Sequence, residues 1–175
     1  EALLSAVAAT NGDRPSWVVG CGSLPRGMAT DVYADLVRRG HAAGVKVAVD
    51  ASEAPLSAAI PAGPDLIKPN REELAELVGR ELPTLADVVA AARGLIAGGV
   101  GTVLVSLGRD GAVLIDADLV LHARATVEHA QHRAAAFVLQ RGPGLALAAV
   151  AARVLQQVAH RAAQQLGHAA HLHRR

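Results

Sequence analysis

The ten residues Asp65-Leu66-Ile67-Lys68-Pro69-Asn70-Arg71-Glu72-Glu73-Leu74 restrict the fold of this chain more than any other stretch. The apolar run must end at Pro69, which has no amide to give to a sheet ladder and biases Lys68 toward extended geometry. Asn70 then offers the side chain of a helix N-cap, and Glu72 and Glu73 fall in a first turn, where the helix dipole favours negative charge. The stretch therefore predicts a strand that turns directly into a helix. By local grammar alone it is a well-built junction. It also gathers a lysine, an amide and a carboxylate at the carboxyl end of a strand, which is where open α/β sheets bind ligands.

With 175 residues, 51% of them hydrophobic, the chain can bury the core of one domain. A formal net charge of +1 gives no global reason to expect nucleic acid or an anionic membrane as partner. The one cysteine, Cys21, excludes an internal disulfide framework and fits a reducing, cytoplasmic setting. No run approaches the roughly 20 apolar residues of a membrane span, and Arg153 interrupts the Ala/Leu-rich stretch from Gly144 to Val158. Nothing at the start resembles a signal peptide, and a chain beginning at Glu1 reads as a piece of a longer one. Trp17, Tyr33 and Phe137 are the only aromatic residues, so the core must come from Val, Leu, Ile and Ala.

Residues 1–9 read as a short helix closing at Thr10-Asn11-Gly12-Asp13, and Trp17-Val18-Val19 as a buried strand. That strand opens into Gly20-Cys21-Gly22-Ser23-Leu24-Pro25, where glycine lets backbone approach a ligand and Ser23 can donate a hydrogen bond. Thr30 and Asp31 begin a helix with Val32, Leu36 and Val37 on its inner face. Val45 to Val49 is the next strand and ends at Asp50. A strand, helix and strand at this spacing form a βαβ unit, so the sheet is expected to be mostly parallel with right-handed crossovers. A short helical piece from Leu56 to Ile60 precedes the Leu66-Ile67 strand. The helix from Arg71 should stop at Gly79. Thr84 and Asp87 supply N-cap chemistry for a second helix, whose stripe is Leu85, Val88, Val89, Ala92, Leu95 and Ile96.

Thr102 to Val105 is a fourth strand, and Ala112 to Ile115 resumes as a strand after Ser106-Leu107-Gly108-Arg109-Asp110-Gly111. Asp-Gly between two apolar runs signals a hairpin turn. The same loop can serve as a phosphate cradle, with donors from Ser106 and from backbone at Gly108 and Gly111; the two readings are compatible. Four successive strands thus bring Ser23, Asp50, Lys68 with Asn70, and Ser106 with Gly108 to one edge of a sheet. Such a convergence suits an α/β enzyme acting on a phosphate ligand.

These residues resemble the sugar kinases of the ribokinase and phosphofructokinase-B family. The resemblance is carried by Gly22-Ser23-Leu24-Pro25, Val47-Ala48-Val49-Asp50, Ile67 to Leu74, and Val105 to Ala112, in the family's order and spacing. It implies a ribokinase-like three-layer α/β/α fold with a mostly parallel sheet. Residues 1–125 would form a partial kinase domain lacking the amino-terminal sugar-binding segment and the β lid. The activity implied is ATP-dependent phosphorylation of a ketose phosphate, either fructose 1-phosphate to fructose 1,6-bisphosphate or a tagatose phosphate. The cofactors implied are ATP and Mg²⁺, in a parent enzyme that is a homodimer. By the same resemblance Lys68, Asn70, Ser106, Leu107, Gly108, Arg109, Asp110 and Gly111 contact the nucleotide. Glu73 of Asn70-x-x-Glu73 organises the metal, acting through metal-bound water because Mg²⁺ dehydrates reluctantly. Gly22 and Ser23 lie near the sugar phosphate. Phosphoryl transfer needs positioning and charge neutralisation, which a cation, a carboxylate-held metal and backbone amides provide.

Three departures qualify the expectation. Cys21 and Arg26 stand where the family usually has serine and a small residue. The family's Gly-Ala-Gly-Asp motif, which supplies an anion hole and the aspartate base, is absent from the sequence, so no catalytic base is assigned and this chain is expected to be inactive. A non-catalytic nucleotide-binding module is the alternative. Residues 129–175 contain no Asp, Glu or Lys but hold six of the eight histidines. So abrupt a change reads as a frameshift in a GC-rich coding sequence, with residues 126–175 as an anomalous tail. A genuine basic tail is the other reading, with a loose helical stripe at Leu147, Val150, Val154, Val158 and Leu166. Its scattered basic residues without aromatic neighbours do not suit nucleic acid. His168, His171 and His173 lack a companion carboxylate or cysteine and read as an exposed helix end or unstructured tail ahead of a metal site.

Overall fold

A computed structural model describes residues 15–123. The helix expected over residues 1–9 and everything expected of residues 124–175 lie outside the described residues. Within them, six strands form one sheet in the order β1 (Trp17–Cys21), β2 (Lys46–Asp50), β3 (Leu66–Ile67), β4 (Thr102–Ser106), β5 (Ala112–Ile115) and β6 (Val120–Ala123). The pairs from β1 to β4 are parallel, and β4 to β6 are antiparallel. Four α-helices are described: α1 (Val32–Ala42), α2 (Glu53–Ala59), α3 (Arg71–Val78) and α4 (Leu85–Ala97). The sheet is mostly parallel, as expected.

Strand order decides where the helices go. Each crossover among β1 to β4 advances in the same direction, and right-handed crossovers advancing one way place their helices on one face. That face carries Val47, Val49, Ile67, Val103, Val105, Val113 and Ile115. They share a core with Leu36 and Val37 of α1, Leu56 of α2, Leu74 of α3, and Val88 and Ala92 of α4. Sheet and helices on this face are two layers of the expected three. Residues pointing the other way (Ala48, Leu66, Leu104 and Leu114) are also buried, which is the burial a sheet covered on both faces requires.

The expected elements recur with three differences. Val19 is 60% exposed and Trp17 and Val18 are only partly buried, so β1 is not the buried strand expected. It is one of the two edge strands among the described residues and pairs with β2 on one side only. The helical piece starts earlier, at Glu53, and Ile60–Ala62 forms a separate 3₁₀ turn. Strand β6 was not expected; Asp116 makes its turn by accepting from the amides of Asp118 and Leu119 at 2.9 and 2.8 Å.

Local chemistry sets both long-range helix starts. Asn70 caps α3 and Thr84 caps α4, each in a reciprocal capping box with the residue three further on, Glu73 and Asp87. Gly79 closes α3 at φ 65°, a backbone conformation that costs glycine nothing. The end of the sheet opposite Lys68 is tied by Asp65, whose carboxylate accepts from the Val47 amide at 2.8 Å and pairs with His41 Nε2 at 2.9 Å. There Gly101 lies so close to β3 that a Cβ would sit 2.6 Å from the Asp65 carbonyl oxygen.

Candidate phosphate-ligand site

Parallel register places the carboxyl ends of β1 to β4 along one edge. Cys21 pairs with Asp50 across β1 and β2, and an isolated parallel bridge joins Asn70 to Ser106. The expected convergence of Ser23, Asp50, Lys68 with Asn70, and Ser106 with Gly108 is therefore a property of the sheet. The Lys68 amide donates to the Val49 carbonyl at 3.1 Å, and the Ser106 amide donates to the Pro69 carbonyl at 3.0 Å. The second bond carries the ladder past Pro69 and holds the start of α3 against the loop that follows β4.

At the junction, Lys68 Nζ lies 3.0 Å from Asp50 Oδ1. Both side chains are partly exposed, so the pair adds little to stability, about 0–1 kcal/mol. Its effect is to fix a cation at the strand ends. Sequence reasoning had placed Asp50 at this edge without pairing it to Lys68. The signal was available, since consecutive parallel strands put their final residues side by side.

Asn70 and Glu73 do structural work that the Asn-x-x-Glu motif does not by itself reveal. Asn70 Oδ1 accepts from the Glu73 amide at 2.8 Å, and Glu73 Oε2 accepts from the Asn70 amide at 2.8 Å. One Glu73 carboxylate oxygen is thus committed to the cap. Among the described residues there is no group of three or more His, Cys, Asp or Glu side chains suited to hold a metal ion. Such a donor set cannot cage a bare cation. Mg²⁺ held chiefly by substrate phosphates and water would fit it, and the Glu73 oxygen left outside the cap is the one that would face such a hydrated ion.

The hairpin reading of the loop after β4 is correct: Ser106 pairs with Ala112 in antiparallel register. Gly108–Asp110 forms a 3₁₀ turn, closed by Leu107 N–H to the Gly111 carbonyl at 2.8 Å and Gly111 N–H to the Gly108 carbonyl at 3.1 Å. Gly108 has φ 58° and Gly111 φ 89°; the latter, with ψ −133°, lies in a region open essentially to glycine alone. His122 of β6 lies 2.9 Å from the Asp110 carbonyl, to which its Nε2–H donates, bracing the loop from behind. The amides of Gly108 and Arg109 have no hydrogen-bond partner among the described residues. They begin the turn beside Ser106 and can serve an anion.

The loop after β1 holds Gly22 and Ser23, both exposed. The Gly22 amide donates to the Asp50 carbonyl at 3.0 Å, and Gly22 takes φ 96°. Its carbonyl accepts from the hydroxyl of Tyr33 at 2.7 Å. Tyr33 is 6% exposed. Burial, followed by the charges of Cys21 and Asp50, raises its phenol above the usual range. Sequence reasoning missed Tyr33, although a lone tyrosine on the inner face of an amphipathic helix needs a partner for its hydroxyl.

A lysine, a capped helix start and two glycine loops, aligned along the carboxyl edge of a mostly parallel sheet, define an α/β protein whose polar groups gather where open sheets of this class bind ligands. The pfkB family of carbohydrate kinases matches residues 14–138, and this chain belongs to that family. It is 45% identical over 103 residues to 1-phosphofructokinase of Haemophilus influenzae, covering 59% of this chain and 33% of the relative. It is 48% identical over 99 residues to 1-phosphofructokinase of Rhodobacter capsulatus, covering 57% and 31%. The chain thus spans about a third of the length of the curated relatives it matches. Among solved structures, phosphofructokinase-2 from Escherichia coli in complex with fructose-6-phosphate superposes with a TM-score of 0.59 at 33% identity, over 66% of this chain and 39% of that one. The mixed six-stranded sheet with its helices is the ribokinase-like sugar kinase fold.

Proposed function

We propose that this chain carries the nucleotide side of an ATP-dependent sugar-phosphate kinase, whose whole protein phosphorylates fructose 1-phosphate to fructose 1,6-bisphosphate in the cytoplasm. The observation that carries this reading is the shared carboxyl edge of the sheet, where Lys68, paired with Asp50, and the loop whose Gly108 and Arg109 amides are unpartnered among the described residues end adjacent strands β3 and β4, in a chain 45–48% identical to two 1-phosphofructokinases. Lys68 meets the nucleotide phosphates as a point charge, and the Ser106 hydroxyl with the Gly108 and Arg109 amides donates to them, while Leu107, Asp110 and Gly111 line the nucleotide as the rest of the loop, their amides holding its turn closed. Asn70 sets the helix start that faces them. Gly22 and Ser23 receive the sugar phosphate. Mg²⁺, when bound, would supply neutralisation of phosphate charge, and Glu73 would be the residue to hold it, through water.

The sequence contains no Gly-Ala-Gly-Asp segment, so these 175 residues bind without turning over. The test is calorimetric titration of the folded chain with Mg-ATP. Saturable heat that is lost in Lys68→Ala is expected; absence of heat, or heat unchanged in Lys68→Ala, overturns the nucleotide assignment. ATP-dependent turnover abolished by Glu73→Ala would overturn the expectation of inactivity.

A further inference from the structure

The Gly22–Ser23 peptide is held from one side. Its carbonyl oxygen accepts from the Tyr33 hydroxyl at 2.7 Å, and there is no cis peptide bond among the described residues. In a trans peptide the C=O and the following N–H point in opposite directions. Tyr33 lies beneath the loop, buried against β1, where a Cβ on Gly20 would come within 2.8 and 2.9 Å of its ring. The Ser23 N–H is therefore turned away from the protein interior, in an exposed loop, and has no hydrogen-bond partner among the described residues. The preceding Cys21–Gly22 peptide is held by the Gly22 amide bond to the Asp50 carbonyl, and Gly22 itself takes φ 96°.

We propose that Tyr33 is a positioning residue that sets the Gly22–Ser23 peptide with the Ser23 amide facing outward to receive a phosphate oxygen of the acceptor sugar. This rests on the reading of Gly22-Ser23 as the sugar-phosphate side of the site and adds the residue that orients it. Tyr33 itself does not touch the ligand. Without its hydroxyl the peptide is free to rotate, and the amide must be ordered at the moment of binding, which lowers affinity.

The ring packing survives in Tyr33→Phe, so the substitution removes the orienting bond while retaining the hydrophobic contact. The experiment is ¹H–¹⁵N correlation spectroscopy of the chain titrated with fructose 1-phosphate, with inorganic phosphate as a second probe and Mg-ATP as a control. In the unsubstituted chain the Ser23 amide resonance is expected to move on adding fructose 1-phosphate. In Tyr33→Phe the apparent Kd read at that resonance should rise about tenfold, the scale of one charge-assisted hydrogen bond, with the Gly108 and Arg109 response to Mg-ATP unchanged. Gly22→Ala, which rotates the same peptide with Tyr33 intact, should weaken fructose 1-phosphate in the same way. If Ser23 responds in the unsubstituted chain with the same Kd in Tyr33→Phe, the positioning role is refuted and the sugar-phosphate reading stands. If Ser23 responds to neither fructose 1-phosphate nor inorganic phosphate in the unsubstituted chain, both fall.

Discussion

Replacing Asn70 separates what the strand-to-helix junction does for stability from what it does for a ligand. Asn70→Ala deletes the oxygen that accepts from the Glu73 amide at 2.8 Å, leaving a first-turn donor without its cap. Loss of an N-cap side chain costs about 1 kcal/mol. With a urea slope of about 2 kcal/mol per molar for a chain of this size, the unfolding midpoint should fall by roughly 0.5 M. Asn70→Asp keeps an acceptor at the same place and adds a negative charge that the helix dipole tolerates well, so its midpoint should stay within about 0.2 M of the unsubstituted chain. The same charge faces incoming phosphates beside Lys68, so Mg-ATP affinity should fall severalfold in Asn70→Asp even though the fold is intact. Urea unfolding followed by circular dichroism, paired with calorimetry, reads both quantities. An Asn70→Ala midpoint equal to that of the unsubstituted chain, or an Asn70→Asp midpoint as low as that of Asn70→Ala, would refute the capping argument.

Other perturbations follow from separate features. In Gly101→Ala the new methyl would stand 2.6 Å from the Asp65 carbonyl oxygen, a backbone atom with no rotamer to change, so an unfolding free-energy loss of about 1–3 kcal/mol is expected by urea titration; an unchanged midpoint would show that the β3–β4 contact is looser than described. Thr84 holds the Asp87 carboxyl below its ordinary range by side-chain and then backbone hydrogen bonds. The stabilisation is then complete above the unfolded carboxylate range and fades as pH falls through the folded value. The midpoint difference between the unsubstituted chain and Asp87→Asn should accordingly shrink as the pH is lowered from 6 toward 3, and a constant difference would contradict it. Tyr33 is the single tyrosine, so absorbance near 295 nm titrates it alone. Its midpoint should lie above that of the urea-unfolded chain because of burial first, then Cys21 and Asp50. Since the folded state holds that proton more tightly, stability should decline as pH rises past about 10. Coincident folded and unfolded titrations would argue against the buried hydroxyl.

The sequence was informative wherever one residue determines backbone behaviour. Pro69 ends β3, Asn70 starts α3, Gly79 stops it, and Thr84 with Asp87 starts α4, because each acts on its own turn and needs no knowledge of the rest. Apolar runs broken by polar residues located β2, β3, β4 and β5, and parallel register then made the shared edge unavoidable. Features that depend on distant partners were harder to read. Exposure of Val19 follows from the position of β1 in the sheet, not from its own composition. Strand β6 is short and alternates between exposed and half-buried residues, and its best cue was the Asp-Ala-Asp turn before it. Glu73 was read for its charge, whereas its reciprocal bond to the Asn70 amide became visible only with side-chain geometry. Tyr33 escaped notice because its partner, Gly22, lies 11 residues away, across a crossover whose hand and packing decide whether they meet.

The order of the strands also bears on how such a sheet is made. Among the described residues, each strand from β2 to β6 lies beside the one synthesised just before it, so no pairing among these six has to wait for a segment far along the chain. Loop-closure entropy is met in small instalments, and contacts of short sequence separation favour rapid folding. A growing polypeptide can therefore add each strand to a finished neighbour as it emerges from the ribosome, and the ligand edge is assembled in the same sequence, the Ser23 loop first and the Gly108 loop last.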